Sequence, residues 1–233
     1  MAKESEFVQK YLTPVAVLLG AGLIAVALIY GGGVRGTNPN DPNAAPEVDI
    51  ANVSTDSSPY IGNPDAPTTI AVFYDYQCPF CKQFELAVTP ELMSYVTSGK
   101  TKIVFKDFHF LGEDSITAAL FGRAFFELYP DRFGEWFRMM MEAQDDEGDQ
   151  GFGDLASIEA LTAGMQGVDV ARVTALMNEK KSTYEAAIKA DYMEGVALGI
   201  NGTPTIIVGK KLLSGRSPAQ FLAEIKAELD AQL

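Results

Sequence analysis

Thr69-Ile70-Ala71-Val72-Phe73-Tyr74-Asp75-Tyr76-Gln77-Cys78-Pro79-Phe80-Cys81 is the stretch on which the reading of this chain turns. Ile70 to Tyr74 is continuously apolar, with β-branched and aromatic side chains and no polar alternation, which predicts a strand buried on both faces. Cys78 then falls where a helix N-cap belongs. Pro79 falls at the first helical position, where its missing N–H does no harm. These two cysteines are the only ones in 233 residues. Thiols that merely filled core space would have no reason to be paired two residues apart, so the pair points to chemistry of its own.

Working outward, Cys81, Phe84, Val88, Leu92 and Tyr95 recur at three- and four-residue steps and define one apolar helical face, kinked at Pro90 and ended by Gly99. Thr101 to Phe108 reads as a second strand. Residues 112–198 change character: helical stretches are punctuated at Pro130, Gly148 to Gly153 and Gly164 to Gly167, with Asp154, Asp169 and Ser182 as candidate caps. Strand grammar returns at Thr205–Val208 and Lys211–Leu213 around a Gly209-Lys210 turn. Ser217-Pro218 opens a last helix with Phe221, Leu222, Ile225 and Leu229 on one face. The order β-α-β, helical block, β-β-α predicts an α/β thioredoxin fold over residues 59–233 with a helical subdomain inserted at about 112–198.

Two segments precede this domain, behind a short N-terminal piece, residues 1–11. Leu12 to Tyr30 is apolar or small apart from Thr13 and Pro14, and no charge occurs between Lys10 and Arg35. As a helix, this segment spans roughly 28 Å, close to the hydrocarbon thickness of a bilayer. It reads as a single transmembrane anchor, or else a cleaved signal peptide. Lys3 and Lys10 before it place the N-terminus inside and the main domain outside the cytoplasm, where disulfides persist. Residues 31–58, rich in Gly, Pro, Asn, Asp and Ser, read as a flexible tether with a reach of roughly 30 Å.

The formal net charge of −13 argues against a nucleic-acid partner, which calls for a basic surface. Seven acids and no base lie between Glu142 and Glu159, read as a solvated loop and helix edge. A structural zinc site needs four ligands, and beyond the two thiols the chain offers one histidine, His109, and carboxylates. No metal and no cofactor are expected, and His109 reads as a packed or loop residue.

Disulfide exchange runs through a thiolate, and an ordinary thiol is only slightly ionised at neutral pH. Free N–H groups at a helix N-terminus stabilise a charged sulfur at Cys78. Cys81, one turn on, faces the core as the resolving thiol. Gly202-Thr203-Pro204-Thr205 supplies a second signal. A proline at a strand entrance fits a cis bond that sets the Thr203 backbone beside the sulfurs, ready to pair with an extended substrate segment. Pro79, Phe80, Thr203 and Pro204 are the candidate substrate-binding residues.

Phe73 to Cys81 resembles the active-site stretch of the DsbA-like thioredoxin-fold proteins. The likeness extends to Ile61-Gly62-Asn63-Pro64-Asp65-Ala66-Pro67 and to Gly202-Thr203-Pro204-Thr205, and covers roughly Tyr60 to Leu229. The resemblance implies a thiol–disulfide oxidoreductase outside the cytoplasm, usually one that forms disulfides in exported proteins. It implies Cys78 as the attacking sulfur, Cys81 as its partner, Thr203-Pro204 as the cis-proline pair, and a membrane redox protein that recycles the thiols. A reductase or isomerase of the same fold and a non-catalytic substrate-binding module are the alternatives. One departure stands out. Relatives often carry a buried acid six residues before the first cysteine, and this chain has Val72 there. Asp75 is expected on the other side of the strand, so water or Lys106, on the neighbouring strand, is expected to share the proton-transfer duty.

Overall fold

The computed structural model describes residues 48–145 and 152–233. Five strands form one sheet in the order β1 (Tyr60–Ile61), β3 (Thr101–Asp107), β2 (Thr68–Tyr74), β4 (Thr205–Val208), β5 (Lys211–Ser214). β2 lies at the centre, parallel to β3 and antiparallel to β4. It is enclosed on both faces, as its unbroken apolar run predicts. Ile70, Val72 and Tyr74 join the main core, while Ala71 and Phe73 join a smaller cluster on the other side.

The helix expected after the cysteines is two helices, α1 (Pro79–Ala87) and α2 (Thr89–Thr97). Pro90 has no N–H to give and its ring displaces the carbonyl four residues back, so the expected kink is a break at Val88. Gly99, with φ of 75°, ends α2 in the left-handed region that glycine enters freely. The inserted block holds α3 (Glu113–Leu128), α4 (Phe133–Ala143), α5 (Leu155–Thr162), α6 (Val170–Glu179) and α7 (Lys181–Ala197). Asp154 and Asp169 cap α5 and α6 by accepting N–H groups from Ser157 and Arg172. Ser182 does not cap a helix. α7 already begins at Lys181, because a single non-helical residue, Lys180, makes the turn from α6. α8 (Pro218–Gln232) starts with a reciprocal Ser217–Gln220 capping box and buries Phe221, Ile225 and Leu229.

The linker reading of residues 31–58 fails at its C-terminal end, and residues 31–47 lie outside the described residues. Residues 48–58, read from composition as linker, are docked on the domain. The N–H groups of Val48 and Ile50 donate to the carbonyls of Lys210 and Gly209. Val53 is buried in the smaller cluster. Lys106 Nζ donates to the Ser54 carbonyl at 2.6 Å, and Arg123 Nη1 to the Ser57 carbonyl at 2.7 Å. A polar strap lies here because buried cations need its carbonyls. The apolar segment 12–30 lies outside the described residues, among which no helix is long and apolar enough to cross a membrane.

Lys106 also departs from expectation. It pairs in register with Phe73 and so points, like Phe73, away from Val72 and the thiols. There it sits against Asp191, with Glu194 at 2.9 Å. Arg123 bridges the same Asp191 to Asp107, with 2.6 Å to each carboxylate. This buried charge cluster gathers β3, α3, α7 and the strap.

Candidate active site

Cys78 is the N-cap of α1 in extended backbone, with Pro79 next. Its own N–H closes a turn onto the Asp75 carbonyl at 3.1 Å, and its carbonyl accepts from the N–H groups of Cys81 and Lys82 at 3.0 and 3.1 Å. The Thr203–Pro204 peptide is cis, and the Cys78 sulfur lies 3.4 Å from the Thr203 carbonyl, to which it donates when protonated. Segments 125 residues apart in sequence thus meet at one sulfur.

The two thiols are driven in opposite directions. The Cys81 thiol donates to the Cys78 sulfur, and the N–H groups of Phe80 and Cys81 at the start of α1 add to it. Against the opposing effect of burial they bring Cys78 down to about 6. Burial pushes Cys81 well above the ordinary thiol value, and the neighbouring Cys78 pushes it further. These opposite shifts favour the thiolate at Cys78 and the protonated thiol at Cys81.

Phe80 projects into solvent with 62% of its surface exposed. It lines a groove of about 550 Å³ with Phe84, Thr203, Pro204, Arg216 and Phe221. Five of the six residues singled out from the sequence, Cys78, Cys81, Phe80, Thr203 and Pro204, therefore converge on the sulfur pair and this groove. Pro79 lines a neighbouring cavity of about 460 Å³ with Lys82 and Asp145.

Sequence reasoning did not single out Glu85. It is buried and lies one turn after Cys81. It lines a small internal cavity with Cys81, Val72 and Pro204. It also forms part of a cleft of about 900 Å³ on another side of the domain, with Thr89, Met93 and Arg138. Burial raises its carboxyl to about 7, with the Thr89 hydroxyl, donating at 2.8 Å, pulling the other way. A protonatable group thus lies next to Cys81, where Val72 left none. The i, i+4 spacing from Cys81 was the available signal.

Asp75 is fully buried beneath the redox turn. It accepts the N–H groups of Gln77, Phe110 and Leu111 and the Ser115 hydroxyl. Burial alone would raise its carboxyl, but His109 and these donors outweigh it and hold the group below the usual range. His109 is packed, as read. Its Nε2 lies 2.8 Å from Asp107, and its ring stacks on Tyr76. Burial disfavours its charge, yet Asp107 and Asp75 together raise it to about 9. Gly122 admits this arrangement, since a Cβ there would come within 2.5 Å of the Tyr76 hydroxyl. Among the described residues no cluster of three side chains suited to a metal occurs.

A family model described as thioredoxin matches residues 54–227. The chain belongs to the thioredoxin family. Disulfide bond formation protein D of Bacillus subtilis (strain 168) is 28% identical over 188 residues, which cover 77% of this chain and 79% of that protein. The crystal structure of oxidised BdbD from Bacillus subtilis superposes with a TM-score of 0.69 at 25% identity, over 82% of this chain and 98% of that one. The DsbA structure from Chlamydia trachomatis shares the fold, with a TM-score of 0.64 at 20% identity, over 80% of this chain and 96% of its own. Within the thioredoxin family this is a DsbA-like thiol–disulfide oxidoreductase. The mixed β-sheet and inserted helices of this DsbA-like protein are the arrangement expected from residues 59–233.

Proposed function

We propose that this DsbA-like protein is a membrane-tethered thiol oxidase that donates the Cys78–Cys81 disulfide to exported proteins. The segment 12–30 anchors it, and the catalytic domain stands on the extracytoplasmic side. A substrate thiolate attacks Cys78 Sγ, forming a mixed disulfide and expelling Cys81 as its thiolate. Cys81 takes up a proton, for which Glu85 is the adjacent donor. A second substrate thiolate then attacks the substrate sulfur of the mixed disulfide and expels Cys78, which leaves readily because its thiolate is stabilised. The substrate loses two electrons and two protons, and the Cys78–Cys81 pair takes the two electrons. A membrane redox partner reoxidises the pair.

The opposite displacement of the two thiols carries this reading, because stabilising the Cys78 thiolate stabilises the reduced protein and makes its disulfide an oxidant. Substrate enters as an extended segment against Thr203-Pro204, with an apolar side chain in the groove beside Phe80, while Pro79 fixes the start of α1. Equilibration with glutathione tests the direction. A reduction potential above about −180 mV, the value typical of protein disulfide isomerase, supports a disulfide donor. A value near thioredoxin's, about −270 mV, makes the protein a reductase and overturns the proposed direction.

A further inference from the structure

Gln144 is buried just past the end of α4. Its side chain reaches the redox turn from the inserted helical block. Nε2 donates to the Tyr76 carbonyl at 2.5 Å and stands 3.3 Å from both the Cys78 carbonyl and Met141 Sδ. In return, Lys82, one residue past Cys81, donates from Nζ to the Gln144 carbonyl at 2.7 Å. The end of α4 and the start of α1 therefore hold each other through a reciprocal pair of contacts. The Tyr76 carbonyl lies inside the turn, where an unpaired acceptor is costly. The Cys78 carbonyl already takes two N–H groups from its own helix, and Gln144 adds a third donor beside it.

We propose that Gln144 is a positioning residue for the Cys78 thiolate, acting through the carbonyls of the redox turn. This rests on the reading of Cys78 as the low-pKa sulfur. With the Gln144 amide in place, the Tyr76 and Cys78 carbonyls are held toward the inserted block. That orientation leaves the N–H groups of Phe80 and Cys81 facing the sulfur. The amide hydrogens also put the positive end of a dipole on the Cys78 side of the turn, where negative charge accumulates on reduction. Lys82, which bonds the Gln144 carbonyl, and Asp145 line the cavity beside Pro79. The inserted block thus forms part of the device that sets the thiolate.

The test is the Cys78 pKa, read from thiolate absorbance, together with the glutathione equilibrium, in the full chain and in Gln144→Leu and Gln144→Glu. Gln144→Leu removes the donor, and the Cys78 pKa is expected to rise by about one unit. At pH 7 the equilibrium then moves toward the disulfide by about fivefold. Gln144→Glu keeps the size and places an acceptor against two carbonyls and a thiolate. Its shift is larger in the same direction, and it serves alone if the leucine variant does not fold. If both the pKa and the equilibrium stay at the parent values while only thermal stability falls, Gln144 is a structural buckle and the inference is wrong. If the parent chain itself shows no low-pKa thiol, the reading of Cys78 fails and takes this one with it.

Discussion

The two faces of β2 are built by opposite rules. On one face Val72 and Tyr74 look onto Cys81 and a core made almost wholly of apolar side chains. The chemistry there comes from four consecutive residues and a helix start. On the other face Lys106, the register partner of Phe73, meets Asp191 and Glu194 of α7, and Arg123 ties Asp191 to Asp107, whose carboxylate also accepts the Tyr74 hydroxyl from the first face. The first face carries reactivity at a helix start, where small changes in hydrogen bonding move a thiol pKa. The second carries much buried charge in matched pairs, so its task is to hold the strap, α3 and α7 in place. A local motif sets function, and a long-range charge network fixes the frame around it.

Substitutions that strike one face and spare the other sharpen this contrast. Cys78→Ser is expected to remove disulfide exchange by at least about a thousandfold, because the nucleophile itself is lost. At pH 7 it should lose only the roughly 1 kcal/mol by which a stabilised thiolate favours the reduced fold. Arg123→Met should do the reverse. It leaves Asp107 and Asp191 buried without their shared cation and is expected to cost about 3–5 kcal/mol in denaturant unfolding. The Cys78 pKa of whatever fraction stays folded should be unchanged. A large change in that pKa would show that the two faces are not separable.

Glu85→Gln probes the reactive face more gently. Loss of a proton donor and acceptor next to Cys81 is expected to slow the step in which Cys81 leaves or attacks by about tenfold to a hundredfold, as read by stopped-flow with a model thiol peptide. The same variant should gain stability at pH 8. A carboxyl raised from 4.5 to about 7 favours the fold while protonated, and that contribution is lost as pH rises through 7. A variant slowed but not stabilised would separate the two roles assigned to Glu85.

The smallest expected effect concerns His109, which joins the charge network to the turn. Its value is raised to about 9 in the fold by Asp107 and Asp75, above the ordinary 6.5. Its contribution is therefore complete below about pH 6.5 and is lost as pH rises through 9. In the oxidised protein, where the thiols do not titrate, thermal stability should decline between pH 7 and 9. His109→Gln should flatten that decline.

The reactive face was the legible one. The strand, the helix start at Cys78 and the Thr203-Pro204 loop all announce themselves through adjacent residues with fixed backbone demands. Lys106 was misplaced because its side depends on the register between β2 and β3, and a pairing register is not written in either strand alone. The strap at 48–58 reads as linker because its composition is polar. It docks because Lys106 and Arg123, buried on other elements, seek its carbonyls. Gln144 belongs to the same class, since nothing near it in sequence foretells the carbonyls of Tyr76 and Cys78. Glu85 is different, because its spacing from Cys81 already put it on the same helical face, and its burial was the missing fact.

The most direct test of the account is a thiolate titration of the reduced protein with both cysteines in place. The account predicts one thiolate forming near pH 6, assigned to Cys78 by its alkylation rate, and no second one until well above the ordinary thiol range. Two thiols ionising together near pH 8.5, the value for an unperturbed cysteine, would contradict it.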